Sequence, residues 1–172
     1  MDTMWTEVIW RQFGAAMDMF QNALRACPDE LWSGRLWKED GQDSDYSEFW
    51  YVAYHTLFWL DLYLSGSVEG FNPPAPFTLG ELDPAGVLPD RVYSREELFQ
   101  YLAYCREKGD WIFETLTDEK ARRLCKFTWG EVVFAELQLY NMRHVQEHGA
   151  QLNLFIGQEQ GSQSRWVTGT GR

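Results

Sequence analysis

The run Asn141-Met142-Arg143-His144-Val145-Gln146-Glu147-His148 sets two histidines four residues apart. On an α-helix that spacing stacks both imidazoles on one face, one turn apart. Leu137, Tyr140, Leu152 and Phe155 fall near the same face, so it is expected to look inward. Thr128 with Glu131 three residues on reads as a capping box, and Gly157 is well placed as a stop. The last helix is therefore expected over residues 129–156.

Working back from it, Ser94 and Glu97 cap a preceding helix that continues to about residue 116, and Thr117-Asp118-Glu119-Lys120 starts a further short helical piece. Residues 65–93 hold Asn72-Pro73-Pro74-Ala75-Pro76 with further Gly and Pro, which no regular helix accommodates. A connection this long can return across a whole bundle, since extended chain covers roughly 3.3 Å per residue. The helices on either side of it are accordingly expected to lie parallel. The earlier of the two runs to about residue 64 and closes at Ser65-Gly66. Asp45 with Glu48 resembles its capping box, and residues 38–45 are read as a loop. The first helix is expected over residues 5–26, with Val8, Ile9, Phe13, Met17, Phe20 and Leu24 at helical spacing. Cys27-Pro28 ends it, and Pro28 to Trp32 is read as a short helix. No segment shows period-two alternation between hairpin turns, so the chain is expected to be all-α: a four-helix bundle over residues 1–157 with a mobile polar tail at 158–172.

The net charge of −11 and the lack of a basic stripe oppose binding to nucleic acid or an anionic membrane. The most apolar run, 49–64, is broken by His55 and Asp61 and too short to span a bilayer. Three cysteines without CxxC spacing suit reduced thiols in a cytoplasm, and Met1-Asp2-Thr3-Met4 does not begin a signal peptide. Nine tryptophans imply a thick core or a walled pocket, and Trp5, Trp10, Trp59, Trp111 and Trp129 are assigned mostly to the core.

His55 shares its helical face with Tyr51, Val52, Phe58, Trp59 and Leu62. All three histidines of the chain, His55, His144 and His148, thus fall on inward faces of two helices. A lone histidine on an apolar face is more often a hydrogen-bonded core residue. Three of them would bring six ring nitrogens needing partners, which is costly without a use. Together they can form a three-nitrogen site with open positions, suited to zinc, nickel, iron or copper. Other metal chemistries fit less well. The positions three before the histidines are Val52, Asn141 and Val145, so the Glu-x-x-His pairs of di-iron bundles are absent. His144 to His148 matches the HxxEH pattern of inverted zinc proteases, but too little chain follows to supply their downstream acid.

These residues, in this order, resemble the DinB-like (DinB/YfiT) superfamily of metal-binding bundles. The matching features are Asn22-Ala23-Leu24, the run from Phe49-Trp50-Tyr51-Val52-Ala53-Tyr54-His55 into Leu60-Asp61, and above all Arg143 through Leu152. The resemblance covers nearly the whole chain apart from the tail. It implies an up-down-down-up bundle and one divalent metal ion, commonly zinc or nickel, on His55, His144 and His148. Characterised relatives include metal-dependent transferases and isomerases that use thiols such as mycothiol or bacillithiol. The resemblance therefore implies an enzyme that activates a low-molecular-weight thiol for transfer to a small electrophile. The rival readings are a non-catalytic stress-response or ligand-binding bundle with a structural metal, and a metal-free interaction module.

Around the histidines, Tyr51 is read as a packed core tyrosine or a donor to a metal-bound ligand. Asn141 and Gln151 are candidate partners for the second ring nitrogens of His144 and His148. Asp61 and Glu147 are read as surface charges. Cys105 and Cys125 lack the surroundings of a reactive thiolate, which favours an external thiol. A symmetric homodimer is the expected assembly.

Overall fold

The computed structural model describes residues 3–38 and 42–170. Four long helices dominate it: α1 (Thr3–Ala26), α2 (Phe49–Ser65), α3 (Arg95–Glu114) and α5 (Phe134–Gln160), with the short α4 at Asp118–Arg122. A two-stranded antiparallel hairpin, β1 (Leu124–Phe127) and β2 (Gly130–Val133), precedes α5. Three 3-10 turns, Asp29–Leu31, Gln42–Ser47 and Leu79–Leu82, punctuate the connections. No helix among the described residues is long and apolar enough to cross a membrane.

Several local expectations are met for the reasons given. The Ser94–Glu97 capping box is complete, Thr117 caps α4, and α2 ends on Gly66 in the left-handed region at φ 71°. Others are not. Asp45 pairs with Arg35 at 3.0 Å, and Glu48 accepts the Trp50 indole N–H, so no side chain caps α2. Of the expected loop at 38–45, residues 39–41 lie outside the described residues, as do Met1 and Asp2 of the N-terminus. Thr128 and Glu131 do not cap a helix. They belong to the hairpin, where Glu131 bonds Lys126 across the strands at 2.8 Å. Two four-residue strands are too short to show alternation, although the paired β-branched Val132 and Val133 are the composition that strands favour. Helix α5 runs through Gly157 and stops at Gly161, φ 70°. Ser164 then turns back on α5, its N–H donating to Asn153 Oδ1 at 2.9 Å, and residues 168–170 lie along α1, where the Thr170 N–H donates to the Arg11 carbonyl at 3.2 Å.

Helix α1 packs against α3 and α5, and α2 packs against the same two. Contacts between α2 and α3 ascend together, Leu57 meeting Cys105 and then Asp61 and Ser65 meeting Lys108. Those between α2 and α5 run oppositely, Leu60 meeting Asn141 and Tyr63 meeting Gln138. Between α1 and α3 the order is also opposite, from Trp10 with Asp110 to Asp18 with Arg106. The crossover from α2 to α3 lays Phe71, Phe77 and Tyr93 onto the core, and Phe77 stacks on Tyr101 at 4.3 Å.

Covered by α3, α5 and the crossover, α2 has 14 of its 17 residues buried. That cover corrects the reading of Asp61, which is not a surface charge but is fully buried. It accepts from Lys108 and, at 3.1 Å, from the Tyr101 hydroxyl. The tryptophans are corrected in the other direction. Trp10 is buried, but Trp5, Trp111 and Trp129 are 56%, 62% and 45% exposed, because helix ends and the hairpin tip leave them one free side.

Breaking a buried ion pair from one side strands the other charge, at a cost of about 3–5 kcal/mol. Lys108 is partly exposed, so Lys108→Met is expected to lower stability towards the smaller figure in urea unfolding at pH 7. The loss should shrink as the pH falls, because the stranded Asp61 carboxyl can then take a proton.

Candidate metal centre

The faces that the sequence pairs do meet. His55 from α2 and His144 and His148 from α5 come together, with one ligand atom from each lying within 4.8 Å of the others. Their ring centroids are 5.4 Å (His55–His144), 5.2 Å (His55–His148) and 4.5 Å (His144–His148) apart. One imidazole on α2 thus faces two on successive turns of α5.

Two rings are held so that Nε2 points into the cluster. His55 Nδ1 bonds Glu81 Oε2 at 2.8 Å, and His148 Nδ1 bonds Gln151 Oε1 at 2.8 Å. Each acceptor draws the ring proton to Nδ1 and leaves the Nε2 lone pair free, the arrangement that metal-ligating histidines adopt. The Nε2 atoms of His55 and His144 are 3.4 Å apart. Two ligands each about 2.1 Å from a common tetrahedral ion would be separated by roughly that distance. That pair therefore suits a divalent ion of the zinc type, and the His148 ligand atom lies within 4.8 Å of both.

Glu81 is the residue the sequence reading missed. It sits in the 3-10 turn of the crossover with its side chain 4% exposed, and it takes the Tyr51 hydroxyl at 2.6 Å and the Trp59 indole N–H at 3.0 Å besides His55. Burial by itself would raise its pKa. The hydrogen bond and charge of His55, with the bonds from Tyr51 and Trp59, outweigh that and hold the carboxyl below its ordinary range. Nothing local marks it, for Glu69, Asp83 and Asp90 share the same connection. Tyr51 is thus both packed and bonded, but to Glu81.

Of the other candidates, Gln151 takes the role expected of it. Asn141 does not: its amide donates to the Leu60 carbonyl at 3.1 Å, while its Oδ1 and the Nδ1 of His144 are both buried without a hydrogen-bond partner. Glu147 is exposed, as expected. All three thiols are buried, and burial raises each pKa, that of Cys27 to about 12. A thiol so protonated is a poor nucleophile.

Burial foremost, then the neighbouring His148 and His55, lowers the His144 pKa to about 2, and burial lowers that of His148 too. Both rings are thus neutral and ready to donate lone pairs. His55 keeps 31% of its side chain exposed, so the cluster has an open side.

No model of a known protein family matches the sequence, nor does any curated protein. Among solved structures, the DinB-like protein YjoA of Bacillus subtilis superposes with a TM-score of 0.57 over 91% of this chain and 94% of its own, at 16% identity. A conserved protein from Enterococcus faecalis does so with a TM-score of 0.63 over 91% and 98%, at 17% identity. The chain has the DinB-like fold.

Two outcomes follow from the bonding. Partners of ligating histidines are worth about 10–100-fold in metal affinity, and Glu81→Gln and Gln151→Ala are each expected to weaken zinc binding within that range in a chelator competition. In metal-free protein, the unfolded chain binds more protons at His144 and His148 than the folded one once the pH drops below the ordinary histidine value near 6.5. Stability should therefore fall between pH 7 and pH 5, by up to about 1.4 kcal/mol per pH unit for each histidine. A His144→Gln variant should show a shallower slope in urea titrations.

Proposed function

We propose that this chain is a DinB-like four-helix bundle, in up-down-down-up order, that holds one zinc or nickel ion on His55, His144 and His148. In this reading it uses the ion to activate a low-molecular-weight thiol for transfer to a small electrophile. The observation that carries the proposal is the orientation of the imidazoles: Glu81 and Gln151 turn two Nε2 lone pairs inward, beside a His144 kept neutral by burial. The bundle order is supported by the parallel run of α2 with α3 and the opposite runs of α2 with α5 and α1 with α3.

When bound, such an ion lowers the pKa of a coordinated thiol and presents it as thiolate. The chain's own contribution is positional. Coordinated through Nε2, the imidazoles would leave the ion's positive charge for the incoming thiol, the carboxylate of Glu81 fixes His55, and Tyr51 and Trp59 fix Glu81 in turn. The partly exposed edge at His55 gives a small thiol and its electrophile an approach. With its own cysteines buried and protonated, the chain has no competing thiolate, so the nucleophile comes from outside. A cytoplasmic setting rich in small thiols accords with this, and a homodimer with the exposed Trp5 and Val8 on α1.

One observation favours a second reading, a non-catalytic bundle with a structural ion. The three ligands join α2 to α5, and Glu81 adds the crossover, so an ion there would also staple three elements.

Elemental analysis of zinc- or nickel-loaded protein should find about one metal per chain, lost in His144→Ala. Loaded parent should then consume a thiol in the presence of a model electrophile, faster than either the metal-free protein or the variant. One bound metal with no turnover across several thiols, and a large drop in melting temperature on chelation, would select the structural reading instead.

A further inference from the structure

A hollow opens where the C-terminal end of α2 meets α3, α4 and the start of α5. It encloses about 320 Å³, near the lower end of the roughly 300–1,000 Å³ typical of small-molecule pockets. Ile112 and Phe134 form its apolar wall, Trp111 stands 62% exposed at its rim, and Lys108, Lys120 and Arg123 line it. It is distinct from the histidine cluster. Ser65, which lines it, follows His55 by ten residues on α2, and Phe134 precedes His144 by ten on α5. Along either helix that is a separation of about 15 Å.

Its charge is opposite to that of the molecule. The chain has 26 acidic and 15 basic side chains, yet no acidic residue lines this hollow. Lys108 is matched by the buried Asp61. Lys120 and Arg123 have no such match: Lys120 Nζ donates to the Thr115 carbonyl and Arg123 to the Ser65 carbonyl, both at 3.1 Å. Neither is ion-paired with a carboxylate among the described residues. Capping the ends of α2 and α3 accounts for one donor on each, and leaves two on the ammonium and four on the guanidinium. The same two cations lean on the apolar wall, Lys120 5.6 Å from the Trp111 ring and Arg123 5.0 Å from that of Phe134. Charge and apolar surface are thus adjacent in one concavity, which an inorganic anion alone or a hydrocarbon alone would fill only in part.

We propose that this hollow binds a small amphipathic anion of the medium-chain carboxylate class, its head between Lys120 and Arg123 and its aliphatic body against Ile112 and Phe134. The site is independent of the metal reading. The opposed charges and the desolvated wall act together, so head and body are both required.

Isothermal titration of the full chain with decanoate, with decanol and with inorganic phosphate tests this. Decanoate is expected to bind at one site per chain, and decanol and phosphate at least tenfold more weakly. The double variant Lys120→Gln, Arg123→Gln should weaken decanoate at least tenfold with its circular-dichroism melt unchanged. Should that variant fail to fold, Ile112→Trp, which fills the hollow without removing a charge, should abolish binding. His144→Ala should bind decanoate as the parent does. The proposal is overturned if decanoate does not bind at millimolar concentration, if phosphate or decanol binds equally well, if the hollow's variants bind like the parent, or if His144→Ala loses binding, which would put the carboxylate on the histidine site.

Discussion

Helix α2 is covered over most of its surface by α3, α5 and the crossover, and the polar atoms it carries inward have to be met, most of them by groups from neighbours, because an unpaired polar group in the core costs several kcal/mol against a total stability of only about 5–15. The neighbours divide the work. From α3 come Lys108 and Tyr101 for Asp61, from α5 come Asn141 and Gln138 for the Leu60 and Tyr63 carbonyls, and from the crossover comes Glu81 for His55. These bonds set which face of α2 each neighbour covers. Apolar packing by itself would tolerate several rotations of so uniformly greasy a helix, and hydrogen bonds with one geometry would not.

The histidine cluster is one consequence of that arrangement. His55 is the polar group of α2 that faces α5 one turn before the Asn141 contact, and the two helices run opposite ways, so the ring it meets is His144 and then His148. Glu81 turns the meeting into a site. A buried carboxylate with three donors is itself well satisfied, and charge-assisted bonds of this kind are worth about 1.5–3 kcal/mol each. It can therefore afford to hold His55 in a single tautomer. Gln151, one turn past His148 on the same helix, does the same for that ring.

The aromatic residues serve two purposes. Phe77, Tyr54, Tyr93 and Tyr101 interlock under the crossover and carry it across the core. At the other end, the hairpin brings Phe127 and Trp129 into a stack with Tyr140, with Tyr63 edge-on between them and His144. That wall bounds the histidine cluster on the side facing the hairpin.

What the residues determined by themselves was whatever depends on local period and capping. The Ser94–Glu97 box, the Gly66 stop, the helical faces of Phe13, Met17 and Phe20, and the four-residue step from His144 to His148 are all set within a turn or two of chain, and the long Pro-rich connection already implied that α2 and α3 run parallel. The pairing of His148 with Gln151 was legible for the same reason, since both lie on one helix. Tertiary structure alone decided the rest. Asp61 reads as a surface charge because its partners, Tyr101 and Lys108, are forty and more residues away on another helix. Glu81 looks like any acid of a loop until the crossover folds over α2. The hairpin is held by pairing between strands of four residues, too short to leave a period in the sequence. In each case the deciding energy is a contact between distant segments, and no local pattern encodes which distant group will arrive.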